Sequence, residues 1–225
     1  MKIEEIDLLG IETLTVTGKN PEVGIIMLHG YGANMQDLFP LWELWQADNF
    51  SWYFPNGLLP LNMGYYEGRS WFSIDVQEME RAMREGRPRN MRGTLPPEFD
   101  STLAMLVPYV DEISKKHKTV IVGGFSQGAM CASHLAMNSK LKIDGLVLLS
   151  GALIAETRCP AQVRGLPFYQ SHGIQDPILA FQSAKELEEK LLSLNFKGKL
   201  HSFQGGHEIP MSVIHEVRNF LGQFA

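Results

Sequence analysis

At 225 residues, 44% hydrophobic and 20% charged, the chain is long enough to bury a substantial core and is expected to fold as one domain, 1–225. Its net charge of −5 argues against a nucleic-acid partner. The acids Glu4 and Glu5 stand where a secretory leader would be apolar, and the longest apolar stretch, near residues 145–155, is too short to span a bilayer. The two cysteines, Cys131 and Cys159, make neither a disulfide framework nor a CxxC metal pair, which points to a reducing cytoplasm.

Near-alternating apolar residues predict two strands over 2–9 and 11–17. The solid apolar run 23–28 predicts a central strand buried on both faces. It ends in His29-Gly30-Tyr31-Gly32-Ala33-Asn34, a glycine-rich loop. A helix is expected over 37–47 and a short strand over 51–54. Residues 56–97 then form a connection longer than a compact domain normally tolerates, which suggests a lid or a binding loop. Its first half is apolar (Leu58, Leu59, Leu61, Met63, Tyr65, Tyr66, Trp71, Phe72). Its second half carries Arg81, Arg84, Arg87, Arg89 and Arg92 among Glu78, Glu80 and Glu85. That run reads either as a solvated helix face or as a patch meeting a membrane surface or an anionic substrate.

Residues 98–117 predict a helix from Phe99, Leu103, Leu106, Val110 and Ile113 on one face, with a kink at Pro108. The apolar run from Val120 stops at a glycine pair and enters Gly124-Phe125-Ser126-Gln127-Gly128. Strand, sharp turn and helix around G-x-S-x-G is the setting of a nucleophile elbow. The flanking residues must be small or helix and strand collide. The serine hydroxyl then stands above the sheet at a helix N-terminus, where the dipole favours negative charge. The plain alternative is a strand-to-helix turn with an idle serine. Strands over 145–149, 166–171 and 197–203 and helices over 178–194 and 211–220 complete the pattern. Such alternation predicts an α/β fold with a mostly parallel central sheet flanked by helices on both faces.

A serine hydroxyl needs a histidine to take its proton and a carboxylate to orient that histidine. In the α/β-hydrolase arrangement the acid and then the histidine follow the serine. Two aspartates lie downstream of Ser126. Asp144 precedes a strand, the wrong end of a parallel sheet, whereas Asp176 follows one. Capping the next helix is the alternative role for Asp176. Of the five histidines after the serine, His134 lies too far along the elbow helix, and His201 and His215 lie inside elements. His172 precedes the acid and is placed to brace its loop. His207, in a glycine-containing loop after the last strand, is the candidate base. The backbone N–H groups of Gln127 and Tyr31 are the expected oxyanion donors, although the loop glycines also suit a simple tight turn.

With those residues placed, the sequence resembles the phospholipase/carboxylesterase family, which includes bacterial carboxylesterases and acyl-protein thioesterases. The matching stretches are residues 28–34, Ser70-Trp71-Phe72, residues 123–129, His172-Gly173-x-x-Asp176-Pro177 and Gly206-His207-Glu208-Ile209. The continuation Ala33-Asn34-Met35-Gln36-Asp37 resembles the bacterial esterase branch. The resemblance implies an α/β-hydrolase fold without a separate cap domain, no cofactor and no metal. It also implies hydrolysis of carboxylic or thioester bonds, with Ser126 as nucleophile, Asp176 as acid, His207 as base, and Tyr31 with Gln127 as oxyanion donors. The expectation is a cytoplasmic serine carboxylesterase, monomer or homodimer, acting on short- to medium-chain acyl esters of small molecules, with Leu58, Leu59, Leu61, Trp71 and Phe72 as the expected acyl-binding residues. Acyl-protein thioesterase and lysophospholipase activities are its close alternatives. An inactive hydrolase fold that binds a lipid or protein partner is the alternative from another class.

Overall fold

The computed structural model describes every residue except 20, 21, 46–48, 63, 65, 139, 161, 162 and 164. The strands are β1 (Lys2–Leu8), β2 (Ile11–Thr17), β3 (Val23–Leu28), β4 (Ser51–Pro55), β5 (Leu59–Asn62), β6 (Glu67–Ser70), β7 (Thr119–Phe125), β8 (Gly145–Leu149), β9 (Pro167–Gly173) and β10 (Lys197–Phe203). Eight of them form one sheet in the order β1-β2-β4-β3-β7-β8-β9-β10. The β1–β2 and β2–β4 pairings are antiparallel. From β4 to β10 every neighbour is parallel. β5 and β6 pair only with each other. The expected mostly parallel α/β sheet is therefore present.

The helices are α1 (Leu41–Leu44), α2 (Val76–Arg84), α3 (Phe99–Ser114), α4 (Gln127–Ala136), α5 (Phe181–Ser193) and α6 (Met211–Leu221). Successive side chains of a strand point to opposite faces, and the central strands are apolar on both. Ile26, Leu28, Val120, Val122, Leu146 and Leu148 join a core under α3, α4 and α5. Their neighbours Ile25, Met27, Ile121, Val147 and Leu149 join a second core under α1 and α6. The sheet is thus covered on both sides, which is why its middle strands read as unbroken apolar runs.

Two expectations change. Of the helix expected over 37–47, the described residues form only Leu41–Leu44, and residues 46 and 47 lie outside them. The Asn34 side chain accepts from the Gln36 N–H at 2.9 Å and the Asn56 side chain from the Met35 N–H at 2.8 Å. These side-chain bonds hold residues 34–36 in turns ahead of the helix, and Pro40, which disfavours helical backbone in the residue before it, delays the start to Leu41. The 56–97 connection also has structure of its own, namely the β5–β6 hairpin and α2. Asp75 caps α2 by accepting from the Glu78 N–H at 2.9 Å. The helix α3 continues through Pro108.

Candidate active site

The parallel strands all present their carboxyl ends on one edge, and the expected residues lie just beyond those ends. Ser126 follows β7 and caps α4 with φ 53° and ψ −116°, a backbone conformation that L residues adopt only under strain. Its N–H donates to the Leu149 carbonyl at 2.8 Å, and its own carbonyl accepts from the Met130 N–H at 3.2 Å. Helix and strand touch here. A Cβ added to Gly128 would lie 2.0 Å from the Leu28 oxygen, and one added to Gly124 would lie 2.5 Å from the Gly128 carbonyl carbon. Glycine is the residue that allows this approach. Gln127 is the first residue of α4, so its N–H has no partner within the helix and stands at the positive end of the dipole.

Asp176 and His207 meet. Nδ1 of His207 lies 2.6 Å from Oδ2 of Asp176, whose side chain is 0% exposed. Gly173 lets the two loops come this close, because a Cβ there would lie 2.2 Å from the Gly206 carbonyl oxygen. Oδ1 of Asp176 accepts from the N–H groups of Ile178 at 2.8 Å and Leu179 at 2.9 Å. The capping role weighed for Asp176 is therefore also present, on the other oxygen. It closes a turn ahead of α5, which starts later, at Phe181. His172, fully buried, places Nε2 3.2 Å from Oδ2 of Asp176 and 3.2 Å from the Leu179 carbonyl, so it braces the acid loop as anticipated. Burial raises the Asp176 carboxyl pKa, but hydrogen bonds from His172 and His207, the His207 charge and the Leu179 N–H outweigh it and hold the group below the usual carboxylate range. An ionised Asp176 accepts from Nδ1–H of His207 and leaves a lone pair on Nε2.

The alternatives discarded from sequence lie elsewhere. Asp144 accepts from the Val120 N–H at 3.0 Å, at the amino end of β7. His134 is buried against Ile154, and His201 faces Glu216 at 3.0 Å.

The glycine-rich loop after β3 is fixed by His29. Burial, with a smaller contribution from the Arg69 charge, outweighs the bond to the Gly30 carbonyl and pushes its pKa down to about 4. Its Nε2 accepts from the Gly57 N–H at 2.8 Å, which leaves Nδ1–H to donate to the Gly30 carbonyl at 2.7 Å. Trp71 Nε1 donates to the His29 carbonyl at 2.8 Å. The buried Gln127 side chain accepts from the Trp71 N–H at 2.8 Å and donates to the Phe72 carbonyl at 2.7 Å. Residues 71–72 are thereby stitched to both the elbow and the loop.

Ser126, Gln127, Tyr31 and His207 share the wall of one cavity of about 190 Å³, roofed largely by apolar side chains. Of the residues expected to bind an acyl chain, Phe72 lines this cavity. Trp71 does not. It is 0% exposed and packed in the core, with both its N–H groups bonded. Nor do Leu58, Leu59 and Leu61. Leu61 lines a separate surface hollow with Pro60 and Tyr66, and Leu58 another beside Asn56 and Arg69. Leu59 and Leu61 lie in β5, which pairs with β6 alone. Met63 and Tyr65 lie outside the described residues. Sequence reasoning missed the actual lining from distant segments: Ile74, Met79, Arg89, Met91, Ile178 and Leu179. Hydrophobicity marks such residues for burial but not for a particular neighbour.

The described residues include no helix long and apolar enough to cross a membrane. Acyl-protein thioesterase 1 of Debaryomyces hansenii is 26% identical over 225 residues, spanning 92% of this chain and 94% of that protein. The same-named protein of Schizosaccharomyces pombe is 27% identical over 203 residues, 81% of this chain and 87% of its own length. Among solved structures, a carboxylesterase from Mesorhizobium loti superposes with a TM-score of 0.79 at 19% identity, covering 99% of both chains. The Bacillus cereus carboxylesterase does so with a TM-score of 0.74 at 21% identity, covering 95% of this chain and 94% of its own. These structural likenesses speak to the α/β-hydrolase fold. The phospholipase/carboxylesterase family pattern matches residues 11–224, nearly the whole chain, and the protein belongs to that family of esterase-type hydrolases.

Proposed function

We propose that the protein is a serine carboxylic-ester hydrolase that works through an acyl-enzyme on short- to medium-chain acyl esters. Nε2 of His207 takes the Ser126 proton as Oγ attacks the ester carbonyl. The negative charge that develops on the carbonyl oxygen is met by the N–H groups of Gln127 and Tyr31, reinforced by the α4 dipole. His207, now protonated, gives its proton to the leaving alcohol. Water then repeats the sequence on the acyl-enzyme and releases the acid. Asp176 holds the histidine in the required tautomer and stabilises the imidazolium as it forms.

The observation that carries this reading is the 2.6 Å contact between the buried Asp176 and His207, with His207 sharing one cavity with Ser126. A binding module has no need of an oriented acid–base pair there. The cavity of about 190 Å³ is smaller than the roughly 300–1,000 Å³ of sites for drug-sized ligands, which favours small acyl groups. The thioesterase names of the relatives support a second reading in which the same groups cleave a thioester. In either case Phe72, Ile74, Met79, Arg89 and Met91 of the long excursion serve as a wall of one catalytic unit, and the free Cys131 and Cys159 suit a reducing cytoplasm.

Turnover of p-nitrophenyl butyrate by wild type and Ser126→Ala is the test. Loss of turnover in the variant is expected, and equal rates would contradict the assignment. Ranking acyl esters against thioesters and lysophospholipids by kcat/KM separates the two readings.

A further inference from the structure

The arginine-rich stretch divides sharply. Four of its five arginines have carboxylate partners. Arg81 pairs with Glu78, Arg87 with Glu85, Arg84 lies 3.7 Å from Glu80, and Arg92 grips Glu156 through two bonds of 2.7 Å. These exposed pairs form a solvated face of little energetic weight. Arg89 is different. It is half-buried, lines the cavity that contains Ser126 and His207, and has no carboxylate at ion-pair distance among the described residues.

Local backbone structure aims it inward. The Arg89 N–H donates to the Ile178 carbonyl at 3.1 Å, and its carbonyl accepts from the Ala180 N–H at 3.0 Å, forming a parallel bridge to Leu179. In extended chain, alternate side chains face opposite ways. Asn90 and Arg92 turn outward to Glu186 and Glu156. Arg89 and Met91 line the cavity, as does Leu179, the residue paired with Arg89. The adjoining carboxylate, Asp176, already accepts from His172, His207, Ile178 and Leu179. A guanidinium is a planar fork of donors suited to a carboxylate or phosphate, and it cannot discharge itself by losing its proton.

We propose that Arg89 is an anion-recognition group and that the acyl portion of the substrate carries a carboxylate or phosphate that this guanidinium holds. The inference rests on the esterase reading. In that reading the acyl group is the part that stays in the cavity on Ser126 while the alcohol leaves. The apolar side chains of Ile74, Met79 and Met91 would then cover the carbons between the ester and the anion.

The test compares mono-p-nitrophenyl adipate, p-nitrophenyl phosphonopentanoate and neutral p-nitrophenyl hexanoate, each by kcat/KM. For wild type, one anionic ester should exceed the neutral one by about tenfold or more, the scale of a charge-assisted hydrogen bond. Whether adipate or phosphonate gains more identifies the anion. That preference should disappear in Arg89→Leu and Arg89→Gln, survive in part in Arg89→Lys, and shrink in wild type at high salt. Wild type showing no anionic preference, or a preference that persists in the Leu and Gln variants, overturns the proposal and leaves the esterase reading intact. The wild-type comparison stands even where a variant fails to fold. No turnover of any ester by wild type would overturn both.

Discussion

Gly128→Ala should damage the site without touching any of its polar groups. The added methyl would sit 2.0 Å from the Leu28 oxygen, 2.4 Å from the Leu28 carbonyl carbon and 2.6 Å from the His29 oxygen. Ordinary van der Waals contact begins near 3.4 Å, so the gap must open by about 1.4 Å. All three atoms are backbone, and no side chain can swing aside. Residues 127–136 of α4 are buried throughout, so the helix cannot simply lift away. The strain expected for such overpacking is about 1–3 kcal/mol. The displaced atoms are the start of α4, including Ser126 and the Gln127 N–H, and a misplacement of about 1 Å lowers catalysis roughly 10²-fold. Urea unfolding and kcat on p-nitrophenyl butyrate measure the two effects. Gly222→Ala is the control: an added Cβ there meets nothing within 4 Å and the backbone is helical, with φ −58°. If Gly128→Ala keeps wild-type stability and kcat within twofold, the close-approach argument for the elbow is refuted.

Three further outcomes are expected. Asp176→Asn keeps the side chain's shape but removes the charge that fixes the His207 tautomer, so kcat on p-nitrophenyl butyrate should fall by about 10³–10⁴; a change under tenfold would remove Asp176 from the proposed triad. The buried His29, with its pKa pushed down from 6.5 to about 4, stays neutral in the folded protein at pH values where the unfolded chain is protonated. Its contribution is complete above pH 6.5 and declines as pH falls, by about 3 kcal/mol at pH 4. Urea melts across that range should show a smaller loss for His29→Gln, and an equal loss would contradict the assignment. Gln127→Leu leaves the Trp71 N–H and the Phe72 carbonyl without their partner, which should cost about 2–4 kcal/mol in the same measurement, whereas a neutral result would deny that this side chain clamps the segment.

The fold was legible wherever chemistry and burial share one cause. Residues 23–28 and 145–149 are apolar at every position but their glycines because helices cover both faces of their strands, and the structure gives those bounds unchanged. The meeting of Asp176 and His207 was legible because loops beyond the carboxyl ends of parallel strands converge on one edge. The helix expected at 37–47 starts late, at Leu41 after Pro40, because proline disfavours helical backbone in the residue before it, a restriction that apolar spacing does not register. The residues expected to bind an acyl chain differ from the cavity's lining for another reason. Leu58, Leu59 and Leu61 form the most conspicuous apolar stretch of the long excursion, but Leu59 and Leu61 are drawn into the β5–β6 hairpin and Leu58 lines a different hollow. Ile178 and Leu179, by contrast, reach the cavity because Asp176 caps their turn. Arg89 looked like one of five similar arginines, and the bridge to Leu179 and its place on the cavity wall set it apart.

The central claim is that Ser126, activated by His207 and Asp176, becomes acylated. Intact-protein mass spectrometry after treatment with a fluorophosphonate, followed by peptide mapping, tests it most directly. A single adduct on Ser126 of wild type, absent from Ser126→Ala and strongly slowed in His207→Ala, is the predicted result. An unlabelled wild-type protein, or an adduct at another residue that persists in Ser126→Ala, would contradict it.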